Sequence, residues 1–97
     1  MQTLLVLNTN PDLEEDLVDY LLSLESIGGF TSYSVRGHGD HDNLSVAEQV
    51  SGRRKRLQVE IIIEESQMQS LLVGLTDNVG KDFNWWQQPI IASGSLN

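Results

Sequence analysis

Two short apolar runs place the strongest constraint on the fold of this sequence. Residues 4–7 read Leu-Leu-Val-Leu, and residues 61–63 read Ile-Ile-Ile. Successive side chains of a strand point to opposite faces of a sheet, so a strand with consecutive apolar residues is covered on both faces. We therefore expect these two segments to be the central strands of one sheet.

Each of these strands leads into an amphipathic helix. After the first strand, Asn10 fits an N-cap and Pro11 fits the first helical position, and apolar residues at helical spacing predict a helix over about residues 11–25. After the second strand, Ser66 begins a capping-box pattern, and the spacing of apolar residues predicts a second helix over about residues 68–79.

Two further strands have a weaker apolar pattern. Residues 31–36 alternate between larger and small or charged side chains, which is typical of a half-exposed strand. Residues 83–91 predict a last strand, which Pro89 confines to a sheet edge or a strand end. The neighbouring rings of Trp85 and Trp86 face opposite sides of that strand, so we expect one to pack under the helices and the other to lie on the uncovered face.

The predicted order is strand, helix, strand, strand, helix, strand, in one domain of residues 1–97. This order predicts an α+β fold, a ferredoxin-like βαββαβ sandwich with a four-stranded antiparallel sheet and two helices on one face. The other face would expose apolar side chains from the central strands and one tryptophan. A sizeable exposed apolar face usually marks an interface, so we expect a homo-oligomer.

Charge and composition exclude several classes of function. The chain has 14 acidic and 6 basic residues, for a formal net charge of -8, which makes general nucleic-acid binding a poor prediction. It contains no cysteine and no apolar run of about 18 residues, so we expect neither disulfides nor membrane insertion. We expect a soluble cytoplasmic protein.

A long loop between the second and third strands, residues 37–56, concentrates the candidate functional residues. Both histidines of the sequence lie in the turn Gly-His-Gly-Asp-His-Asp of residues 37–42. Imidazole and carboxylate ligands suit zinc, copper, nickel or cobalt. The candidate metal ligands are His38, Asp40, His41 and Asp42. The alternative is a solvated hairpin loop, because these residue types are also common in turns.

Four of the six basic residues lie at residues 53–56, where the chain returns from the loop. Glycines that let backbone N–H groups approach a phosphate, together with basic side chains, favour a small anion or a nucleotide. The candidates for that site are Gly37, Gly39, Lys81 and Arg53. The alternative roles are structural pairing with acidic neighbours and partner docking, for which the candidates are Arg54, Lys55 and Arg56.

Catalytic chemistry has little support in this sequence. There is no cysteine nucleophile, and no serine lies in a nucleophile-elbow motif. The acidic residues of segment 12–16 lie at a predicted helix start, where the helix dipole accounts for them. We expect no catalytic residues and no enzyme activity.

Residues 29–39, Gly-Phe-Thr-Ser-Tyr-Ser-Val-Arg-Gly-His-Gly, resemble the Gly-x-Thr-x-x-x-Val-x-Gly-x-Gly run of the PII signal-transduction proteins. The third strand and the second helix are similar to theirs, and the element order matches over about residues 3–91. The chain looks like a family of short PII-like proteins of unassigned function, several of which accompany heavy-metal efflux systems. The divalent-cation tolerance proteins are similar in fold.

The resemblance implies a trimer with ligand clefts between subunits and a loop that reports the ligand state to a partner, such as a membrane transporter. The turn that binds nucleotide in PII proteins matches here only at Gly80-Lys81, and the residues after 91 include no arginine. A divalent metal ion and an adenine nucleotide therefore both stand as candidate effectors. The alternative is a structural adaptor that docks a partner through the basic loop stem without a small ligand.

Overall fold

A computed structural model describes residues 1–38 and 54–97 of the protein. In chain order, the elements are β1 (Gln2–Thr9), a 3-10 turn (Pro11–Leu13) that continues as α1 (Glu14–Leu22), β2 (Phe30–Gly37), β3 (Arg54–Glu64), a 3-10 turn (Glu65–Gln67) that continues as α2 (Met68–Asn78), and β4 (Phe83–Pro89). The strands form one antiparallel sheet in the order β2-β3-β1-β4. The predicted α+β, ferredoxin-like arrangement with β1 and β3 at the centre is confirmed.

The first helical segment begins as the sequence predicts and ends sooner. The side chain of Asn10 accepts a hydrogen bond from the backbone N–H of Asp12 at 2.9 Å, which satisfies one of the free donors at the helix start. The segment opens as a 3-10 turn, and α1 ends at Leu22 rather than near residue 25. The capping box at Ser66 is wrong, because neither the 3-10 turn nor α2 has a side-chain cap at its start.

The core lies between one face of the sheet and the two helices. The inward side chains of β1 and β3 meet in cross-strand pairs such as Leu5 with Ile61 and Leu7 with Val59. The fully or almost fully buried apolar residues of this core are Leu5, Leu7, Leu17, Leu21, Leu57, Val59, Ile61, Ile63, Leu71 and Leu75. Burial of each such side chain contributes roughly 1.5–3 kcal/mol of transfer free energy, which makes this layer the main source of stability.

The two helices contact each other at Tyr20 and Gly74. The Tyr20 hydroxyl donates a hydrogen bond to the backbone carbonyl of Leu71 at 2.8 Å, so its ring lies across α2. A Cβ atom at residue 74 would overlap the Tyr20 hydroxyl. Glycine therefore permits a close approach that any larger residue would prevent.

The sheet face away from the helices, here called the open face, carries a central apolar patch. Its members, the open-face patch, are Leu4, Val6, Ile62 and Trp86, which the strand register places side by side. Ile62 is 46% exposed and Trp86 is 40% exposed. Trp85 lies on the helix side next to Leu7 but is 51% exposed, so the expectation that one tryptophan packs under the helices is wrong.

The strands that flank the long loop extend further than expected. The β2 strand reaches Gly37, and β3 begins at Arg54, so residues 54–56 belong to a strand rather than to the loop. The helical turns predicted near residues 45–51 lie outside the described residues. Of the helices in the described ranges, none combines the length and apolarity that a bilayer crossing requires.

Candidate functional site

One end of the sheet, here called the loop end, collects most of the candidate site residues. The register pairs Gly37 at the end of β2 with Arg54 at the start of β3, and it pairs Thr9 at the end of β1 with Phe83 at the start of β4. The Thr9 hydroxyl also donates to the backbone carbonyl of Asp82 at 2.6 Å. This bond fixes the turn before β4 to the same end.

The loop end is also the basic end of the protein. Lysine and arginine occupy six positions of the sequence, and five of these lie in the described residues: Arg36, Arg54, Lys55, Arg56 and Lys81. All five belong to the end of β2, the start of β3 or the turn before β4. In a chain of net charge -8, the basic residues of the described ranges are therefore concentrated at one end of the sheet.

Two of these cations line an open groove. Arg36 and Lys55 are direct cross-strand neighbours, and the register places them on the side of the sheet that carries the helices. Together with Ser34, Val35 and Pro11 they border a groove of about 710 Å³, which we call the cationic groove. Its volume falls within the range of small-molecule sites. Arginine and lysine side chains on one border of a groove can both contact an anion that enters it.

Arg56 has a different environment from its neighbour Lys55. It points to the open face and is only 3% exposed. Its Nε–H donates to Asn8 Oδ1 at 2.7 Å, its Nη2 donates to the backbone carbonyl of Asn8 at 3.1 Å, and its Nη1 donates to Asp82 Oδ2 at 3.3 Å. These bonds occupy the guanidinium within the chain, so this placement speaks against the expected partner-docking role of Arg56.

A row of polar side chains continues from Arg56 across the open face. The Asn8 Nδ2 donates to Gln58 Oε1 at 3.2 Å, and Gln58 Nε2 donates to the Tyr33 hydroxyl at 2.8 Å. The Tyr33 hydroxyl in turn donates to Glu60 Oε1 at 2.9 Å. We call these five residues the polar chain, and it spans β1, β3 and β2.

The polar chain perturbs the ionisation of its tyrosine. The hydrogen bond to Glu60 raises the pKa of Tyr33 above its usual value of 10, and burial of the hydroxyl adds to this effect. The hydrogen bond received from Gln58 acts in the opposite direction, because it favours the phenolate. The two bonds of Tyr33 therefore have opposite effects on its charge state.

The remaining candidate residues divide between described and undescribed parts of the chain. His38 and Lys81 are exposed at the loop end, while Gly39, Asp40, His41, Asp42 and Arg53 lie outside the described residues. Within residues 1–38 and 54–97, no group of three or more histidine and carboxylate side chains is placed to share a metal ion.

Sequence reasoning missed the polar chain. Asn8, Gln58 and Glu60 belong to none of the candidate sets, because each is locally an ordinary polar residue of a strand. The signal was present in their spacing, because residues at even positions of β1 and β3 share the open face. Polar residues at several such positions indicate a hydrogen-bonded strip beside the open-face patch.

The fold and the loop end define a small α+β, ferredoxin-like protein with an open sheet face. Over residues 1–97 the chain matches the family described as "Protein of unknown function (DUF3240)", and it belongs to that family. A similar solved structure is the crystal structure of a DUF3240 family protein from Shewanella baltica OS155. The two are 28% identical with a TM-score of 0.81, over 99% of this chain and 97% of the other. No curated protein matches the chain.

Proposed function

We propose that this protein is a small, non-catalytic PII-like regulatory protein of the cytoplasm. In this proposal it forms a homo-oligomer, a trimer as the PII resemblance implies, and binds a small effector at the loop end of the sheet. Effector binding changes how the segment of residues 37–56 contacts a partner, such as a membrane transporter.

The basic loop end is the observation that carries this proposal. Every described lysine and arginine lies there, and Arg36 and Lys55 face each other across the cationic groove. The oxygens of a phosphate match the guanidinium fork of Arg36, and the ammonium of Lys55 adds a second positive charge on the same side of the sheet. An anion with phosphate groups, such as an adenine nucleotide, is therefore the effector that the geometry favours.

A divalent metal ion is the second candidate effector. It is favoured by the concentration of both histidines in residues 38–41, directly after β2. His38 is the residue of this segment that lies within the described ranges, and the other proposed ligands are Asp40, His41 and Asp42. A neutral imidazole that binds a metal loses that ability when protonated, so this effector would bind more weakly at low pH.

The open-face patch supports the proposed assembly. Ile62 and Trp86 are large apolar residues on a sheet face that no helix of the described chain covers. A second copy of the protein that covers this patch would remove their side chains from water, at roughly 25 cal/mol for each Å² of apolar area. Sheet-to-sheet contact around a symmetry axis would leave the loop ends accessible to effector and partner.

The proposed response is a population shift. The segment between Gly37 and Arg54 starts and ends at paired strand residues, so its two ends are held together. An effector that binds one arrangement of this segment more tightly will populate that arrangement. A shift from 1:99 to 99:1 requires about 5.5 kcal/mol of differential binding, so a small effector with several charged contacts is required for a complete response.

A thermal-shift panel on metal-free protein tests the effector. One set contains adenine nucleotides and pyrophosphate, and the other contains zinc, copper, nickel and cobalt ions. The matched variants are Arg36→Ser in the groove, Lys81→Ser outside the groove lining, and His38→Ala with His41→Ala. A ligand at a hundredfold excess over its Kd stabilises the folded state by about 2.7 kcal/mol, which gives a clear rise in Tm.

The proposal expects nucleotide or pyrophosphate to raise the Tm of wild type and Lys81→Ser, and to have little effect on Arg36→Ser. A rise with metals alone, lost in the double histidine variant, would assign the metal effector instead. No rise with either set would contradict an effector and would favour a docking adaptor. If the ligand-induced rise in Tm decreases equally in Arg36→Ser and Lys81→Ser, binding depends on overall charge and not on the groove.

A further inference from the structure

The polar chain has one direction. Four hydrogen bonds run from Arg56 to Asn8, from Asn8 to Gln58, from Gln58 to Tyr33 and from Tyr33 to Glu60, and in each the first residue donates. The donor and acceptor distances lie between 2.7 and 3.2 Å, within the normal range for protein hydrogen bonds. The chain therefore begins at a cation and ends at a carboxylate.

The charged ends fix this direction. A guanidinium can only donate, and an ionised carboxylate can only accept. Rotation of the Asn8 amide would place its NH₂ against the Nε–H of Arg56, and rotation of the Gln58 amide would place its NH₂ against that of Asn8. Each bond also polarises the next, which strengthens an oriented chain above separate bonds. The orientation of each member therefore depends on its neighbours.

The two ends of the chain lie in different parts of the molecule. Arg56 lies at the loop end, where it also contacts Asp82 beside Lys81. Tyr33 is 38% exposed on the open face, and Glu60 lies beside it. Asn8 and Gln58 connect these places through the two central strands. A surface that contacts Tyr33 thus touches one end of a chain whose other end is buried at the loop end.

We propose that the polar chain couples contact at Tyr33 on the open face to the strength of the hydrogen bonds that hold Arg56 at the loop end. If a covering surface takes the hydroxyl proton of Tyr33 away from Glu60, the other hydrogen bonds keep their direction. They lose the polarisation that the Tyr33–Glu60 bond supplied, so the bonds of Gln58, Asn8 and Arg56 weaken. The covering surface is the second copy of this protein proposed above, so the trigger of this coupling rests on the proposed assembly. The inference concerns the chain without any effector, so it stands apart from the proposed ligand.

Side-chain NMR of the effector-free protein tests this coupling. The perturbation is Tyr33→Phe, which removes only the hydroxyl at the exposed end of the polar chain. The reporters are the Nδ2 protons of Asn8 and the Nε–H of Arg56, which lie two and three hydrogen bonds away. The matched control is Thr31→Val, which removes a hydroxyl from the same face of the same strand but outside the polar chain.

The proposal expects both reporter signals to shift by more than a linewidth in Tyr33→Phe and to stay in place in Thr31→Val. In a Gln58→Ala background, Tyr33→Phe should produce no further shift, because the connection is already broken. Unchanged reporters in Tyr33→Phe would overturn the coupling. Equal shifts in the control, or shifts that persist without Gln58, would also overturn it, because the effect would then travel by another route.

A double-mutant cycle gives a second measurement. Asn8 and Tyr33 share no direct hydrogen bond, so without coupling the effects of Asn8→Ser and Tyr33→Phe on the unfolding equilibrium constant should multiply. The proposal expects the double variant to depart from that product by roughly threefold or more. All variants must fold for this comparison. If the effect of the double variant then equals the product of the two single effects within error, the coupling is contradicted.

Discussion

Arg56 holds the end of β1 by two hydrogen bonds to the same residue, one to Asn8 Oδ1 at 2.7 Å and one to the Asn8 backbone carbonyl at 3.1 Å. Its third contact, with Asp82 at 3.3 Å, adds the start of β4. One buried arginine therefore joins three strands at the end of the sheet where the long loop begins and ends.

The first prediction concerns this arginine. Arg56→Ala removes the arginine donor from both oxygens of Asn8 at a half-buried position, and we expect it to lower the free energy of unfolding by about 2 kcal/mol. Arg56→Lys should recover only part of this loss, because an ammonium cannot reproduce the guanidinium fork. Urea denaturation measures both effects. The control is Lys55→Ala, which should change stability by less than about 1 kcal/mol.

The second prediction concerns the contact between the helices. Alanine at an exposed helical position is about 1 kcal/mol more favourable than glycine, yet Gly74→Ala should destabilise the protein by about 1–3 kcal/mol because the new methyl group meets the Tyr20 hydroxyl. Ser70→Ala on the same helix should be neutral or stabilising. Combining Gly74→Ala with Tyr20→Leu should remove the penalty. If Gly74→Ala raises the Tm, the close contact is wrong.

The third prediction concerns assembly through the open face. Trp86→Gln should weaken the proposed oligomer and shift the protein towards the monomer mass of 10.8 kDa, because it removes an exposed ring from the open-face patch. Trp85→Gln removes the neighbouring ring from the opposite side of β4 and should leave the assembly intact. Sedimentation velocity at several concentrations distinguishes them. A wild-type protein that sediments as a monomer at all concentrations would contradict assembly.

The fourth prediction concerns alkaline pH. The pKa values of Tyr20 and Tyr33 are raised in the folded state, Tyr20 chiefly by burial and then by Asp77, and Tyr33 chiefly by its bond to Glu60. Between the unfolded value of 10 and the higher folded values, the folded state holds more protons than the unfolded state. This contribution to stability is complete below pH 10 and is lost as the pH rises through the folded values.

Urea midpoints between pH 8 and pH 11 measure that loss. Tyr33→Phe should flatten the decline, because the Tyr33 contribution is then absent at every pH. Glu60→Gln should move the titration of Tyr33 towards its usual value, since the charged acceptor is removed. A decline with the same slope in wild type and Tyr33→Phe would show that Tyr33 does not contribute.

Much of the fold could be predicted from local patterns. The continuous apolar runs identified the central strands. Leu5 is buried under the helices, and Val6, on the open face, is 2% exposed because it lies between the neighbouring strands β3 and β4. Asn10 and Pro11 identified the helix start, because an N-cap and a first-turn proline act within a few residues of the chain. The extent of β3 could not be predicted, because Arg54 to Arg56 read as a charged loop stem and their strand pairing comes from β2.

The candidate site was predicted only in part. The basic residues near 53–56 and Lys81 indicated an anion site at one end of the sheet, but the sequence could not separate Lys55 from Arg56. That separation depends on strand alternation and on partners far away in sequence, such as Asn8 and Asp82. The polar chain depends on the register of three strands, which no single segment encodes.

The most direct test of the account is the titration of effector-free protein with ATP and with pyrophosphate by isothermal calorimetry, in wild type, Arg36→Ser and Lys81→Ser. The account predicts saturable binding to wild type, a loss of at least about tenfold in affinity for Arg36→Ser, equivalent to about 1.4 kcal/mol, and a smaller loss for Lys81→Ser. No binding of either ligand to wild type, or equal losses in the two variants, would contradict an anion site in the cationic groove.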